Sequence, residues 1–276
     1  MNDISSVVSG IESGISSSVD LTDLNARWFG QQVEASRSDP AEMAKWALST
    51  VIDDNVRAPI FDERVFSWLH RGAPGTFAFP IGHAGLMHTY GYLLSSVETP
   101  YGLKRQRWLT DDLANAFGLK PSFFFPTAST VPLMKRVASV VLPTLTDPTA
   151  DSRTILGIDE VIDCRRRMRT VYVRDRITNS TALLYGSISG DDVQIVTAFP
   201  IGPMTSQSVQ DRLAEPARYR YNYAPADAEP GSHFDGAVQV VTSAFQKLWC
   251  DQLLAPIVVG TSNCPNVADR PNINDL

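Results

Sequence analysis

Cysteine is scarce in this chain of 276 residues: Cys164, Cys250 and Cys264 are widely spaced, odd in number and form no CxxC pair. That argues against a disulfide framework and a zinc knuckle, and it fits a reducing compartment. Long apolar runs are also missing. None approaches the roughly 20 residues that cross a bilayer, and the opening MNDISSVVSGIESG lacks the basic start and apolar stretch of a secretory signal. The expectation is a soluble cytoplasmic protein with no membrane partner. Positive charge is in deficit as well, with a net charge of −6 and a pI near 5.2. A general DNA binder needs a cationic face, so DNA is set aside as a partner, whereas local patches leave RNA open. The sequence has no GxGxxG after a strand, no GxxxxGK[ST] loop, no HExxH and no GxSxG. Dinucleotide, P-loop, zincin and α/β-hydrolase chemistry are therefore not indicated, and no cofactor is expected.

What is present is ordinary globular material, 43% hydrophobic and 20% charged. No composition break divides the chain, so 1–276 reads as a single domain of the α+β class. A helical N-terminal layer (1–70) packs on a mainly antiparallel sheet with inserted helices (80–200), and a long amphipathic C-terminal helix follows. Ile4, Val7, Val8, Ile11 and Ile15 fall on one helical face. Asp39-Pro40-Ala41-Glu42 is a helix start, with a capping aspartate and proline at the first helical position. The helix it opens is expected to run through Met43, Trp46, Ala47 and Val51. Trp28, Phe29, Trp46 and Trp68 suit either a core or a homo-oligomer interface.

From Gly85 to Trp108 the sequence is read as β-like: LMHTYGYLLSS, a turn at VETPYG, then LKRQRWL. Thr110 is expected to cap a short helix, DDLANAF, ending at Gly118. TVYVRDR, TALLYGSI and VQIVTAFP read as three strands of an antiparallel meander, with ILGIDEVID (155–163) as a fourth. In the third, alternation puts Val193, Ile195, Thr197 and Phe199 on one face. Residues 201–235 are polar and proline-punctuated, a surface loop or lid. Phe234 to Leu254 carries an amphipathic stripe of Val238, Val241, Phe245, Leu248 and Trp249, hence the helix at 234–254.

Only four histidines occur, and His83 and His88 lie close together in PIGHAGLMHTYGYLL. Imidazole titrates near neutral pH, so both are acid/base candidates, with the Tyr90 hydroxyl assisting His88. A metal is the other use of such a pair. His-x4-His lacks helical zinc spacing, so Asp159, Glu160, Asp163 or His233 would have to complete a site. Lys104, Arg105 and Arg107 follow in LKRQRW, and a second basic run, CRRRMRTVYVRDR, contains Arg174. Guanidinium groups match carboxylate and phosphate oxygens in bidentate fashion, so Lys104, Arg105, Arg107 and Arg174 are candidates to hold an anionic substrate. For most of the second run, neutralisation by Asp159, Glu160, Asp163 and Asp175 on a solvated sheet is the plainer expectation. Cys164, beside Arg165 to Arg167, has cations that would favour its thiolate.

The segment from Arg169 to Ile201, ending in DDVQIVTAFPI, resembles the closing antiparallel strands of the EndoU, barnase, colicin and RelE-like ribonuclease folds, over about an eighth of the chain. In several toxin members a Thr-Ala-Phe/Tyr-Pro ending supplies a hydroxyl near the scissile phosphate, and Thr197, Phe199 and Pro200 match that ending. The resemblance implies metal-independent RNA cleavage by histidine, a cation and a hydroxyl, here His88, Lys104 or Arg174, and Thr197. The acidic charge and the long flanking segments depart from that small fold.

The leading expectation is a cofactor-independent enzyme, a hydrolase, lyase or cyclase, using acid/base chemistry on a small anionic metabolite. Its candidate catalytic residues are His88, Tyr90, His83 and Thr197. A metal-independent ribonuclease and a non-catalytic ligand-binding or scaffold protein are the alternatives.

Overall fold

A computed structural model of the chain describes residues 24–53, 56–95, 97–99, 102–148, 154–163 and 166–201. The expected helix at the N-terminus, the 201–235 loop or lid beyond its first residue, the 234–254 helix, His233 and the three cysteines lie outside them. The described part is α+β, with helices and antiparallel strands. Among its residues no helix is long and apolar enough to cross a membrane.

The chain enters through helix α1 (Leu24–Arg37) and turns into α2 (Pro40–Met43). The Asp39 carboxylate accepts the amides of Ala41 and Glu42, both at 3.1 Å, and so satisfies donors a helix start leaves orphaned. The helix does not run on to Val51. It stops at Met43, and a run of β-branched residues forms β1 (Leu48–Thr50) and β2 (Ile52–Asp53), the latter paired with β3 (Ala58–Pro59). Residues 1–70 are therefore not a wholly helical layer. The apolar side chains that suggested a helical stripe, Met43, Trp46, Ala47 and Val51, are all buried, but on a turn and strands. Helix α3 (Glu63–His70) follows, capped by Asp62 on the Val65 amide, and β4 (Ile81–His83) pairs antiparallel with β1.

The largest departure from the sequence reading is at 84–108. LMHTYG is a π-helix (Leu86–Gly91), not a strand, and KRQRW is a 3-10 helix (Lys104–Trp108). Every residue of the π-helix is buried, so neither a two-residue nor a 3.6-residue alternation exists for a sequence reader to find. Gly91 lies against the Phe61 ring and Gly85 against Trp46 so closely that a Cβ would collide. Between the two helices, β5 (Glu98–Thr99) pairs with β6 (Gly102–Leu103). Helix α4 (Asp112–Ala116) begins two residues after Thr110, whose hydroxyl bonds the Asp112 carboxylate instead of capping the backbone. Helix α5 (Leu133–Thr146) then packs on the main sheet.

That sheet is the meander expected from the sequence: β7 (Thr154–Asp163), β8 (Arg166–Arg174), β9 (Thr181–Ser189) and β10 (Asp192–Ile201), all antiparallel, ordered β10-β9-β8-β7. A bulge between Ile195 and Thr197 breaks the alternation in β10. Ile195 and Ala198 therefore join one core cluster with α1, α3 and α5, while Val196 and Phe199 join a smaller one on the other face. Trp46 forms a parallel bridge to Ile195, through the Ala47 amide on the Ile195 carbonyl (2.9 Å) and the Ile195 amide on the Lys45 carbonyl (2.8 Å). This bridge pairs part of the β10 edge and brings β1 beside the bulge. Phe29 and Trp46 are buried, and Phe29 stacks on the partly buried Trp68 at 5.7 Å. These aromatics thus serve a core in this chain.

Candidate functional site

The π-helix, the 3-10 helix, β1 and the β10 bulge meet around His88. The Trp108 indole donates to the His88 carbonyl at 2.9 Å, which ties the 3-10 helix to the π-helix. Nδ1 of His88 is 2.6 Å from the Val196 carbonyl. A carbonyl only accepts, so Nδ1 carries the proton. Nε2 then presents its lone pair to the Ser49 hydroxyl at 3.2 Å. The next residue on the bulged strand, Thr197, accepts a hydrogen bond through its hydroxyl from the Arg107 guanidinium at 2.8 Å. Adjacent backbone positions of β10 thus hold the imidazole and the guanidinium. Both a π-helix and a β-bulge are irregularities that recur at functional sites, and here they converge.

Tyr92 joins these groups. Its ring centroid lies 4.7 Å from that of His88, 4.9 Å from Cζ of Arg107 and 6.0 Å from Nζ of Lys104. Arg107 also faces the rings of Phe199 (5.1 Å) and Trp108 (5.8 Å). Lys104 is neutralised by Asp53, whose buried carboxylate is 2.7 Å from Nζ. Arg107 is different. It is 8% exposed, and no carboxylate among the described residues forms an ion pair with it. Burial lowers its pKa to about 10, against the attraction of Tyr92 and Asp53. His88 is held to about 3, first by burial, then by repulsion from Arg107, and it is neutral at physiological pH. Among the described residues, Lys104 has the Asp53 carboxylate at hand, whereas the buried Arg107 has no ion-pair partner of its own. A negatively charged group is what such a setting accommodates best.

The other sequence candidates fall elsewhere. The Tyr90 hydroxyl is buried on the opposite side of the π-helix, 2.7 Å from Ser36 Oγ and 3.3 Å from the Gln32 carbonyl, and burial pushes its pKa up to about 12. Tyr92 takes the place beside His88 that a strand reading gave to Tyr90, because side chains four apart share a helix face whereas side chains two apart share a strand face. His83 has both ring nitrogens on backbone: Nε2–H donates to Met43 O at 2.9 Å, and Nδ1 accepts the Leu86 amide at 3.3 Å. Burial lowers its pKa to about 4. Arg105 is half-buried on the 3-10 helix. Arg174 pairs with Thr181, four residues along β8 from Thr170, which shares the Tyr185 level with Thr197. That is about 13 Å away along the sheet. In the second basic run, Arg167 and Arg169 pair with Glu160, as neutralisation on a sheet surface requires. Among the described residues no group of three or more His, Cys, Asp or Glu side chains gathers to hold a metal ion.

Ser49, Tyr92 and Asp53 were not picked out from the sequence. Ser49 and Asp53 come from strands about forty and fifty residues before their partners, with no local motif. Comparison of the chain with family models, with curated proteins and with solved structures finds no match.

Proposed function

We propose that this chain is a cofactor-independent enzyme of the hydrolase or lyase class that acts by acid/base chemistry on a small anionic metabolite. The observation that carries the reading is the buried Arg107 guanidinium, bonded to a neutral hydroxyl, with no carboxylate partner among the described residues, and beside a histidine of fixed tautomer. Retaining a buried cation without a counter-ion costs stability, and a bound carboxylate or phosphate would offset that cost by accepting from N–H groups of the guanidinium fork that no described residue engages. His88 is then the proton-transfer group, Ser49 and Val196 orient it, and Thr197 holds Arg107 in place. A cytoplasmic setting accompanies this reading, since a soluble metabolite is the ligand.

The test is thermal unfolding of wild type and Arg107→Met against phosphorylated and carboxylated metabolites. A ligand present at a hundredfold excess over its Kd stabilises by about 2.7 kcal/mol. A shift seen in wild type and lost in the variant supports the reading, and His88→Gln should then bind the same ligand without turning it over. If no anion distinguishes the two proteins, the cluster is a packing device and a non-catalytic scaffold is the better description.

Metal-independent ribonuclease activity is a second reading, favoured by the juxtaposition of Thr197, Arg107 and His88 at the VTAFPI ending. It expects cleavage of a short single-stranded RNA in the presence of a chelator, abolished by Thr197→Val. Intact RNA after prolonged incubation removes it.

A further inference from the structure

Three buried histidines occur among the described residues, and their hydrogen bonds separate them into two kinds. His70 donates from Nδ1 to the Phe66 carbonyl (2.8 Å), and its Nε2 accepts the His83 amide (2.9 Å). His83 likewise accepts the Leu86 amide on Nδ1. Protonating either ring would set an N–H against a backbone N–H that cannot turn away, so both are locked neutral. His88 has no such conflict. Its Nδ1–H keeps the Val196 carbonyl in either state, and the Ser49 hydroxyl, which donates to the bare Nε2, rotates to accept from Nε2–H once a proton arrives. An imidazolium at this position would have both N–H groups satisfied.

What opposes that charge is first burial and then repulsion from the cations of the 3-10 helix. Among the described residues, the titratable groups facing His88 are Arg107 and Lys104 from the 3-10 helix, with Asp53 of β2 paired to Lys104 and the locked, neutral His83 of β4 behind. Ser49 of β1, Tyr92 of its own helical segment and Val196 and Thr197 of β10 bring no charge. An anion on Arg107 would cancel that repulsion and set an attractive charge beside the ring, against the cost of burial.

We propose that anion binding at Arg107 and proton uptake at His88 are one coupled event, so that the substrate itself turns His88 from a neutral hydrogen-bond acceptor into a general acid. The proton comes from solvent, resides on Nε2, and is delivered to an oxygen or nitrogen leaving group, which departs with the electron pair of its bond while the fragment left behind takes up water or loses a proton to form a double bond. Coupling is reciprocal, so lower pH must tighten anion binding by as much as the anion raises the basicity of His88. The proposal rests on the reading of Arg107 as an anion subsite.

Sulfate is the probe, because it does not titrate near neutrality and any proton taken up belongs to the protein. Calorimetry of sulfate binding to the full chain, in buffers of different ionisation enthalpy between pH 7.5 and 5.5, counts those protons. Wild type should take up a fraction of a proton that grows as pH falls, with affinity rising several-fold. His88→Gln should bind sulfate with no such uptake, and Arg107→Met should lose the binding. Sulfate binding that depends on Arg107 but takes up no protons, or uptake that persists in His88→Gln, overturns the coupling while leaving the anion subsite intact. Sulfate binding indifferent to Arg107, or absent, overturns the subsite and the coupling with it.

Discussion

Acidification should unfold this protein well before its carboxylates protonate. His70 and His83 are lowered from 6.5 to about 4 and His88 to about 3, in each case chiefly by burial. In the unfolded chain the same rings titrate near 6.5. Above that pH neither state binds the protons, and the contribution is fully present. Between 6.5 and 4 the unfolded chain binds protons that the folded chain refuses, so stability falls as pH falls. Each histidine contributes a slope of about 1.4 kcal/mol per pH unit. The three together give about 4 kcal/mol per unit, and on the order of 6 kcal/mol is lost between pH 6.5 and 5. A typical domain has about 5–15 kcal/mol in total. The Asp175 carboxylate accepts the amides of Ile177 and Thr178, which hold it below its usual 3.8. It therefore contributes stability above 3.8, and loses it in a separate window at lower pH. Urea unfolding at half-unit steps from pH 7.5 to 4.5 measures the slope directly, with the m-value checking that the transition stays the same. His83→Gln, which keeps a donor for Met43, should start less stable at pH 7.5 but lose about a third of the slope. A midpoint that stays flat from pH 7.5 to 5 would refute the reasoning, since three buried neutral imidazoles cannot then be present.

Further substitutions separate the groups of the site. Asp53→Ala removes the buried carboxylate that pairs with Lys104 and should destabilise by about 3–5 kcal/mol, read from urea midpoints; a loss under 1 kcal/mol would mean the pair is open to solvent. Tyr90→Phe removes the hydroxyl bonded to Ser36 and Gln32, costing about 1 kcal/mol without changing sulfate affinity. Tyr92→Leu should weaken sulfate binding by removing the ring that Arg107 and His88 share, and equal effects of the two tyrosine variants in calorimetry would contradict the assignment of Tyr92 to the site.

The meander of β7 to β10 was legible because its strands are bounded by turn residues, and its short links permit only antiparallel pairing. The Asp39 cap was legible for a similar reason, being a purely local device. The π-helix was not. Its burial on all sides erased the periodicity, and reading it as a strand exchanged Tyr92 for Tyr90. The bulge at Val196 was equally hidden, although it aims the carbonyl that fixes the tautomer of His88. His88, Lys104 and Arg107 were singled out from residue type and clustering, Thr197 from the resemblance of VTAFPI to the ribonuclease ending, and the structure brings the four together. Ser49 and Asp53 reach the site through the pairing of β1 with β4 and the Trp46–Ile195 bridge, contacts that no sequence window contains.

If Arg107 is kept for an anion at the expense of stability, the unfolding midpoints of wild type and Arg107→Met in chloride and in sulfate must show it. Sulfate stabilises proteins generally, so the difference between the two proteins is the quantity that counts. The variant should be at least as stable as wild type in chloride, and wild type should gain more from sulfate. A variant destabilised by about 3 kcal/mol or more in chloride, with both proteins responding equally to sulfate, would make Arg107 a structural cation and contradict the account.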